Sequence, residues 1–256
     1  MILATDIGNT NITTGIYNEN DLLFVIRTAT DRTRTPDQYA VELRAMLSLH
    51  DADTFGFDGA IISSVVPELT EVIKEAIRTV TKQTALVIGP GVKTGLNIRI
   101  DNPAQLGADL VAGAVGAIHK YPMPCLVLDM GTANKISVLD SAGNYRGCTI
   151  SAGVGISLRA LSSGTSQLPA IPLNAPANAI GTNTVDSMQS GTVLGAAAML
   201  EGLCARLEDS LGEKVNTVVA TGGIAGDIIR YCNMDIIYDP DLILDGLKFI
   251  LEKNKN

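Results

Sequence analysis

Ile2-Leu3-Ala4-Thr5-Asp6-Ile7-Gly8-Asn9-Thr10 opens the chain. About half a chain later, Leu126-Val127-Leu128-Asp129-Met130-Gly131-Thr132-Ala133-Asn134 repeats its apolar-Asp-x-Gly pattern. Each copy runs on into a second β-like stretch (Ile12 to Tyr17; Lys135 to Leu139) and then into a polar Asn/Gly turn (Asn18 to Asp21; Asp140 to Asn144). A strand-turn-strand unit repeated at domain spacing implies internal duplication, and a repeat decides architecture before local detail does. In each copy a buried strand delivers one carboxylate to a tight glycine turn. Free N–H groups and small residues in such a turn let a phosphate approach the backbone. Two such carboxylates facing each other across a cleft are the arrangement expected of a phosphotransferase made of two related halves.

Composition narrows the partners. A chain of 256 residues with 46% hydrophobic content and a mean hydropathy of +0.25 has the material for sizeable cores, and the repeat favours two domains. The aromatic content of 4%, with no Trp, argues against base-stacking or carbohydrate platforms. A net charge of −8 disfavours nucleic acid and anionic membranes as partners. No apolar run reaches the length of a membrane span, and the first strand begins at once without a leader, so a cytoplasmic protein is expected. Cys125, Cys148, Cys204 and Cys232 lack CxxC spacing and suit core thiols in a reducing compartment. His50 and His119 are too few for a His-rich metal centre.

Strand-like segments fall at 2–6, 12–17, 22–28, 60–65, 85–88, 97–100, 126–129, 135–139, 146–150, 217–220 and 235–238. Helices are expected at 37–49, where Tyr39, Leu43 and Leu47 recur with Val41 and Met46 on neighbouring rows, and at 68–81, 105–120, 154–161, 185–211 and 223–231. Interleaved strands and helices indicate α/β, and with the repeat they point to two actin-like (ribonuclease H-like) domains with a cleft between them. The boundary is placed within 110–124, where the helix 105–120 would link the halves before Pro122 and Pro124, giving domains 1–115 and 116–256. The stretch 162–183, with three prolines, is a long loop of the kind that often carries function.

Three stretches carry chemistry. Asp6-x-Gly8-Asn9-Thr10 offers a carboxylate, a glycine turn, an amide and a hydroxyl within five residues, which suits phosphate oxygens and Mg²⁺. The plainer alternative is a strand-end Asx turn, and the second copy at Asp129 tips the balance to phosphate. Thr221-Gly222-Gly223 sits between a strand and a helix, where glycines permit close approach of a nucleotide. Gly107-Ala108-Asp109 lies just inside a helix, where an acid by composition alone compensates the helix dipole.

In its order of motifs the chain resembles the type III pantothenate kinases, bacterial members of the acetate kinase/Hsp70/actin superfamily. The resemblance runs through Asp6-Ile7-Gly8-Asn9-Thr10-Asn11, Ser63-Ser64-Val65-Val66-Pro67, Lys93-Thr94-Gly95-Leu96, Asp101-Asn102-Pro103 and Gly107-Ala108-Asp109. It continues through Asp129-Met130-Gly131-Thr132-Ala133, Gly181-x-x-Thr184, Ser190-Gly191 and Thr221-Gly222-Gly223. It implies ATP-dependent phosphorylation of the primary hydroxyl of pantothenate, the entry to coenzyme A, by a homodimer using Mg²⁺ and a monovalent cation (K⁺ or NH₄⁺). Carried over, Asp6 organises Mg²⁺ and the phosphates, with Gly8, Asn9, Thr10 and Thr132 around the ATP phosphates. Gly222 and Gly223 border the nucleoside, and Asp129 lies near the monovalent cation. Asp109 is the general base, and Gly107, Asp109, Leu110, Ile100 and Thr184 face the substrate, Thr184 from the neighbouring subunit. The helix 185–211 carries more apolar residues than one stripe needs, which suits a dimer interface; a fully buried core helix is the alternative.

The departures from the family pattern cluster around the substrate. Leu110 stands where the family writes the Arg expected to meet the pantothenate carboxylate, and Leu cannot pair with an anion. Ile100 replaces an aromatic, Asn134-Lys135 replaces Thr-Thr, Ser137 replaces an Asp, and Ala152 replaces a Pro. Lys135 is either a substitute cation for an acidic substrate or directed elsewhere. Pantothenate is therefore weighed against another alcohol such as a polyol, sugar or nucleoside, and against an inactive nucleotide-binding sensor. Retention of Asp6, Asp109 and Asp129 argues for catalysis.

Overall fold

In a computed structural model describing residues 1–52 and 56–255, the chain forms two compact units. The first comprises Met1–Leu96, Asp101–His119 and the C-terminal stretch from Leu242; the second comprises Asn97–Ile100 and Lys120–Asp241.

The first unit is built on strands β1 (Ile2–Ile7), β2 (Asn11–Asn18), β3 (Asp21–Ala29), β4 (Gly59–Ser64) and β5 (Leu86–Val87), in the order β3-β2-β1-β4-β5. β1 pairs antiparallel with β2 and parallel with β4. Helices α1 (Pro36–Leu49), α2 (Pro67–Thr81) and α3 (Ala108–Lys120) belong to the same unit. The start of α1 is written locally. Thr35 and Gln38 form a reciprocal capping box ahead of Pro36, and Tyr39, Ala40 and Leu47 then turn into the core. Val41, expected on that apolar face, is 71% exposed, because the buried stripe runs through Ala40 instead. Leu3, Ile7, Ile16, Ile62, Leu69 and Ile77 anchor the core, each fully buried side chain contributing about 1.5–3 kcal/mol before entropy is charged.

The second unit repeats the topology. Strands β6 (Cys125–Met130), β7 (Ala133–Leu139), β8 (Tyr145–Ala152), β9 (Thr217–Thr221) and β10 (Ile237–Tyr238) are ordered β10-β9-β6-β7-β8. Again the first strand pairs antiparallel with the second and parallel with the fourth in sequence. Helices α4 (Val154–Gly164), α5 (Thr184–Leu211) and α6 (Ala225–Ile229) accompany it. α5 buries Met188, Val193, Ala197, Leu200 and Cys204, so a large part of its apolar face is spent inside its own unit. The fold is thus α/β with two mixed sheets of the same actin-like topology.

Further expectations differ from the structure. The segment 97–100 is no strand of its own: only Ile98 bridges to Tyr145, with Arg99 N donating to Tyr145 O at 2.8 Å. That splice attaches Ile100 to the second unit. A further helix, α7 (Leu242–Asn254), was not foreseen. It packs on β1 and β4 and crosses α3 so closely that a Cβ on Gly246 would lie 1.8 Å from Ala112 O. A linear division at 115/116 assigns α7 to the second half, whereas its contacts assign it to the first unit.

Candidate active site

In the first unit, Asp6 lies one residue before the end of β1 and faces Thr13 on β2 and Ser63 on β4 in register. Gly8 N donates to Asn11 O at 3.0 Å, closing the turn over the exposed Asn9 and Thr10. The turn is braced from β3 and beyond: Thr30 Oγ1 donates to Gly8 O at 2.6 Å, and Arg32 Nη2 to Asn9 Oδ1 at 3.1 Å. A Cβ on Gly8 would sit 3.0 Å from Asn11 O, so the tightness of the turn itself calls for glycine. Ser63 Oγ is fully buried and has no hydrogen-bond partner among the described residues.

Asp109 sits in the first turn of α3 and is 8% exposed. Leu110 N donates to its Oδ1 at 2.8 Å, and a Cβ on Gly107 would fall 2.5 Å from the same oxygen. Gly107 is therefore the residue that lets this carboxylate fold back over the helix start. Leu110 is buried at 9%. Asp6 with its turn and Asp109 with Gly107 and Leu110 thus belong to one unit.

The second unit gathers the others. Asp129 faces Lys135 on β7 and Thr221 on β9 in register. Lys135 Nζ donates to Asp129 Oδ2 at 2.7 Å, and the two side chains are only 21% and 15% exposed. That answers where Lys135 is directed. Three backbone segments meet at the end of β6. Gly153 N donates to Thr132 O at 3.1 Å, and a Cβ on Gly153 would lie 2.3 Å from Gly131 O. Gly222, with φ 98°, would bring a Cβ to 2.3 Å from Met130 O. A side chain at either position would drive these strands apart. Around Gly223 a Cβ would meet nothing within 4 Å, so its backbone is open to approach.

Thr184 is placed elsewhere in the second unit, exposed at the start of α5 behind the Asn183 cap. It lines a cavity of about 1060 Å³ together with Gly181, Met188, Leu161 and Asn134. Asn134, 3% exposed, has no partner for its Oδ1 among the described residues. Ser63 in the first unit and Asn134 in the second are buried polar groups that motif matching left without a role. For Asn134 the signal in the sequence is its place just past the second Asp-Gly turn; Ser63, on β4, is joined to the first turn only by strand pairing. Among the described residues no helix is long and apolar enough to cross a membrane, and no cluster of three His, Cys, Asp or Glu is placed to hold a metal.

The cysteines are free. Burial pushes the Cys125 and Cys204 thiols up to about 12, with Cys232 and Glu201 adding to the effect at Cys204.

Comparison with known proteins finds relatives along the whole chain. The family model for type III pantothenate kinase matches residues 2–206. The type III pantothenate kinase of Exiguobacterium sibiricum is 42% identical over 255 residues, covering 100% of both chains. That of Moorella thermoacetica is 40% identical over 254 residues, covering 99% of this chain and 100% of its own. Among solved structures, the activator of the 2-hydroxyisocaproyl-CoA dehydratase from Clostridium difficile with bound ADPNP superposes with a TM-score of 0.59 at 13% identity, over 99% and 97% of the two chains. The ethanolamine utilization protein EutJ from Carboxydothermus hydrogenoformans gives 0.57 at 12%, over 97% and 89%. These distant likenesses speak for the fold, and the full-length relatives speak for the chemistry. The chain belongs to the type III pantothenate kinase family.

Proposed function

We infer that the chain transfers the γ-phosphoryl group of ATP to the primary hydroxyl of pantothenate, giving 4'-phosphopantothenate for coenzyme A synthesis. The observation that carries the site assignment is the duplication. Two sheets of identical strand order each end their first strand in a carboxylate beside a phosphate-sized glycine turn.

Asp6 is assigned to Mg²⁺, and Gly8, Asn9, Thr10 and Thr132 to the ATP phosphates. Mg²⁺ characteristically takes one or two carboxylates and completes its shell with phosphate oxygens and water. A hard carboxylate in register with the buried Ser63 fits that habit. When bound, Mg²⁺ supplies neutralisation of the charge that builds on the transferring phosphoryl group. Gly222 and Gly223 are assigned to the nucleoside, the latter through its open backbone. Asp109 is the general base. The Leu110 N–H fixes its Oδ1, so the carboxylate is oriented before substrate arrives. Gly107, Leu110, Ile100 and Thr184 are assigned to the substrate. Leu110, lacking a charge, leaves the pantothenate carboxylate to be met by other groups.

A monovalent cation is the remaining cofactor implied by the resemblance, and its assigned ligand Asp129 does not fit the part. Asp129 Oδ2 already accepts from an ammonium at 2.7 Å, so no step is routed through K⁺ or NH₄⁺. A cytoplasmic homodimer completes the proposal. It is supported by Met199 and Leu203, which α5 leaves only partly buried, and a monomer mass in light scattering at micromolar concentration would refute it.

The deciding experiment is steady-state kinetics of Asp109→Asn with ATP and pantothenate. The substitution keeps shape and removes basicity, so KM should hold while kcat falls by about 10²-fold or more. An enzyme as fast as wild type would overturn the base assignment. Failure of wild type to turn over pantothenate, with a polyol, sugar or nucleoside consumed instead, would move the substrate.

A further inference from the structure

We propose that Lys135 is a built-in replacement for the monovalent cation at Asp129, so that this chain binds Mg-nucleotide and transfers phosphoryl groups without K⁺ or NH₄⁺. The inference rests on the nucleotide reading of the Asp129 turn given above. It starts from register. β6 and β7 pair antiparallel with Asp129 directly opposite Lys135. Both strands are interior to their sheet: Asp129 is flanked on its other side by Thr221 of β9, and Lys135 by Ile150 of β8. The ammonium is therefore delivered by the sheet rather than by a loose surface side chain.

Its distance, 2.7 Å from Nζ to Oδ2, is that of a charge-assisted hydrogen bond. With side chains 21% and 15% exposed, the pair is shielded from most of the solvent that weakens surface ion pairs. A lysine ammonium is chemically the same group as NH₄⁺, held on a tether. It brings one positive charge and three N–H donors to a carboxylate beside the Gly131-Thr132 turn. A second monovalent cation on the same oxygen would be repelled by the first at a few ångströms in a poorly screened setting. One positive charge satisfies the position, and the chain supplies it. At the place where Lys135 stands the resembled pattern has Thr, which carries no charge.

The test compares KCl with choline chloride at equal ionic strength, measuring turnover of ATP with pantothenate and, separately, Mg-ADP affinity by titration calorimetry. For the wild type both quantities should agree between the salts within about twofold, the residue of general screening. Lys135→Thr should lose about tenfold or more in choline and regain most of it in KCl or NH₄Cl. Lys135→Arg, which keeps a fixed cation, should remain indifferent to K⁺. Severalfold activation of the wild type by K⁺, or tightening of its Mg-ADP binding, overturns the proposal. So does a folded Lys135→Thr protein as indifferent to K⁺ as wild type. If Lys135→Thr does not fold, the wild-type and Lys135→Arg arms decide the matter alone. Absent turnover of pantothenate in either salt, with Mg-ADP affinity equal in both, would defeat the substrate reading and leave this proposal standing.

Discussion

The two Asp-Gly turns began as copies and have parted in charge. In the first, Asp6 faces Thr13 and Ser63, and four residues separate the last paired positions, Ile7 and Ile12. In the second, Asp129 faces Lys135, and only three residues separate Met130 from Asn134. The cross-strand position opposite the carboxylate is thus a threonine in the first unit and a lysine in the second. The duplication conserved the backbone device, while a single side chain two residues past the second turn reassigned its electrostatics.

The largest effect that would break this contrast is kinetic. Asp6→Asn should lower kcat by about 10²- to 10³-fold and weaken Mg-ATP, because an amide is a poorer ligand for a hard cation. Unchanged turnover and calorimetric affinity would show that the first turn is no metal site.

Next come the glycines, which separate fold from ligand. Gly222→Ala places a side chain at φ 98° against Met130 O and should cost about 2–4 kcal/mol in denaturant unfolding. Gly8→Ala, 3.0 Å from Asn11 O, should cost about 1 kcal/mol. Gly131→Ala meets nothing nearer than 4.0 Å, so its stability should change by less than about 0.5 kcal/mol. A loss of turnover in Gly131→Ala at unchanged stability would mark a phosphate pressed against that backbone.

A double-mutant cycle of Asp129→Asn and Lys135→Thr should return a coupling of about 1–2 kcal/mol in unfolding free energy. The same cycle built on Asp6 and Thr13 should return near zero. The smallest effect is chemical: at pH 8 the folded protein should react with a thiol reagent at the exposed Cys148 first. Cys125 and Cys204, raised to about 12, should react only on unfolding.

The sheets were legible because β1 and β6 are unbroken apolar runs that end in the same Asp-x-Gly signature, and their partners follow within hairpin distance. α7 was not. Its inward face mixes Leu244, Leu247 and Leu251 with Gly246 and a buried Lys248, so a hydrophobic count dilutes the stripe. Lys248 is admitted because Asn20 accepts from its ammonium at 2.7 Å, Glu252 pairs with it at 3.5 Å, and the Tyr17 and Phe249 rings lie within 6 Å of it. The partner of Lys135 was illegible for a different reason. Spacing along the chain names neighbours on a strand, but which residue lies across from it depends on whether the turn holds three residues or four. Leu110 was recognisable as a departure, and its burial accompanies that of the whole first half of α3, where Asp109 to Ala117 are all buried.

The return of α7 to the first unit also sets a timetable. Every residue of the second unit has left the peptidyl-transfer centre before Leu242–Asn254 is made. At about 5–20 residues per second, those thirteen residues take about one to three seconds more. Until then the α3 groove around Ala112 and Gly116, which Gly246 closes, lies open. The unit encoded first is therefore completed last, and a chain that ends short of Leu242 carries a first unit that cannot be finished.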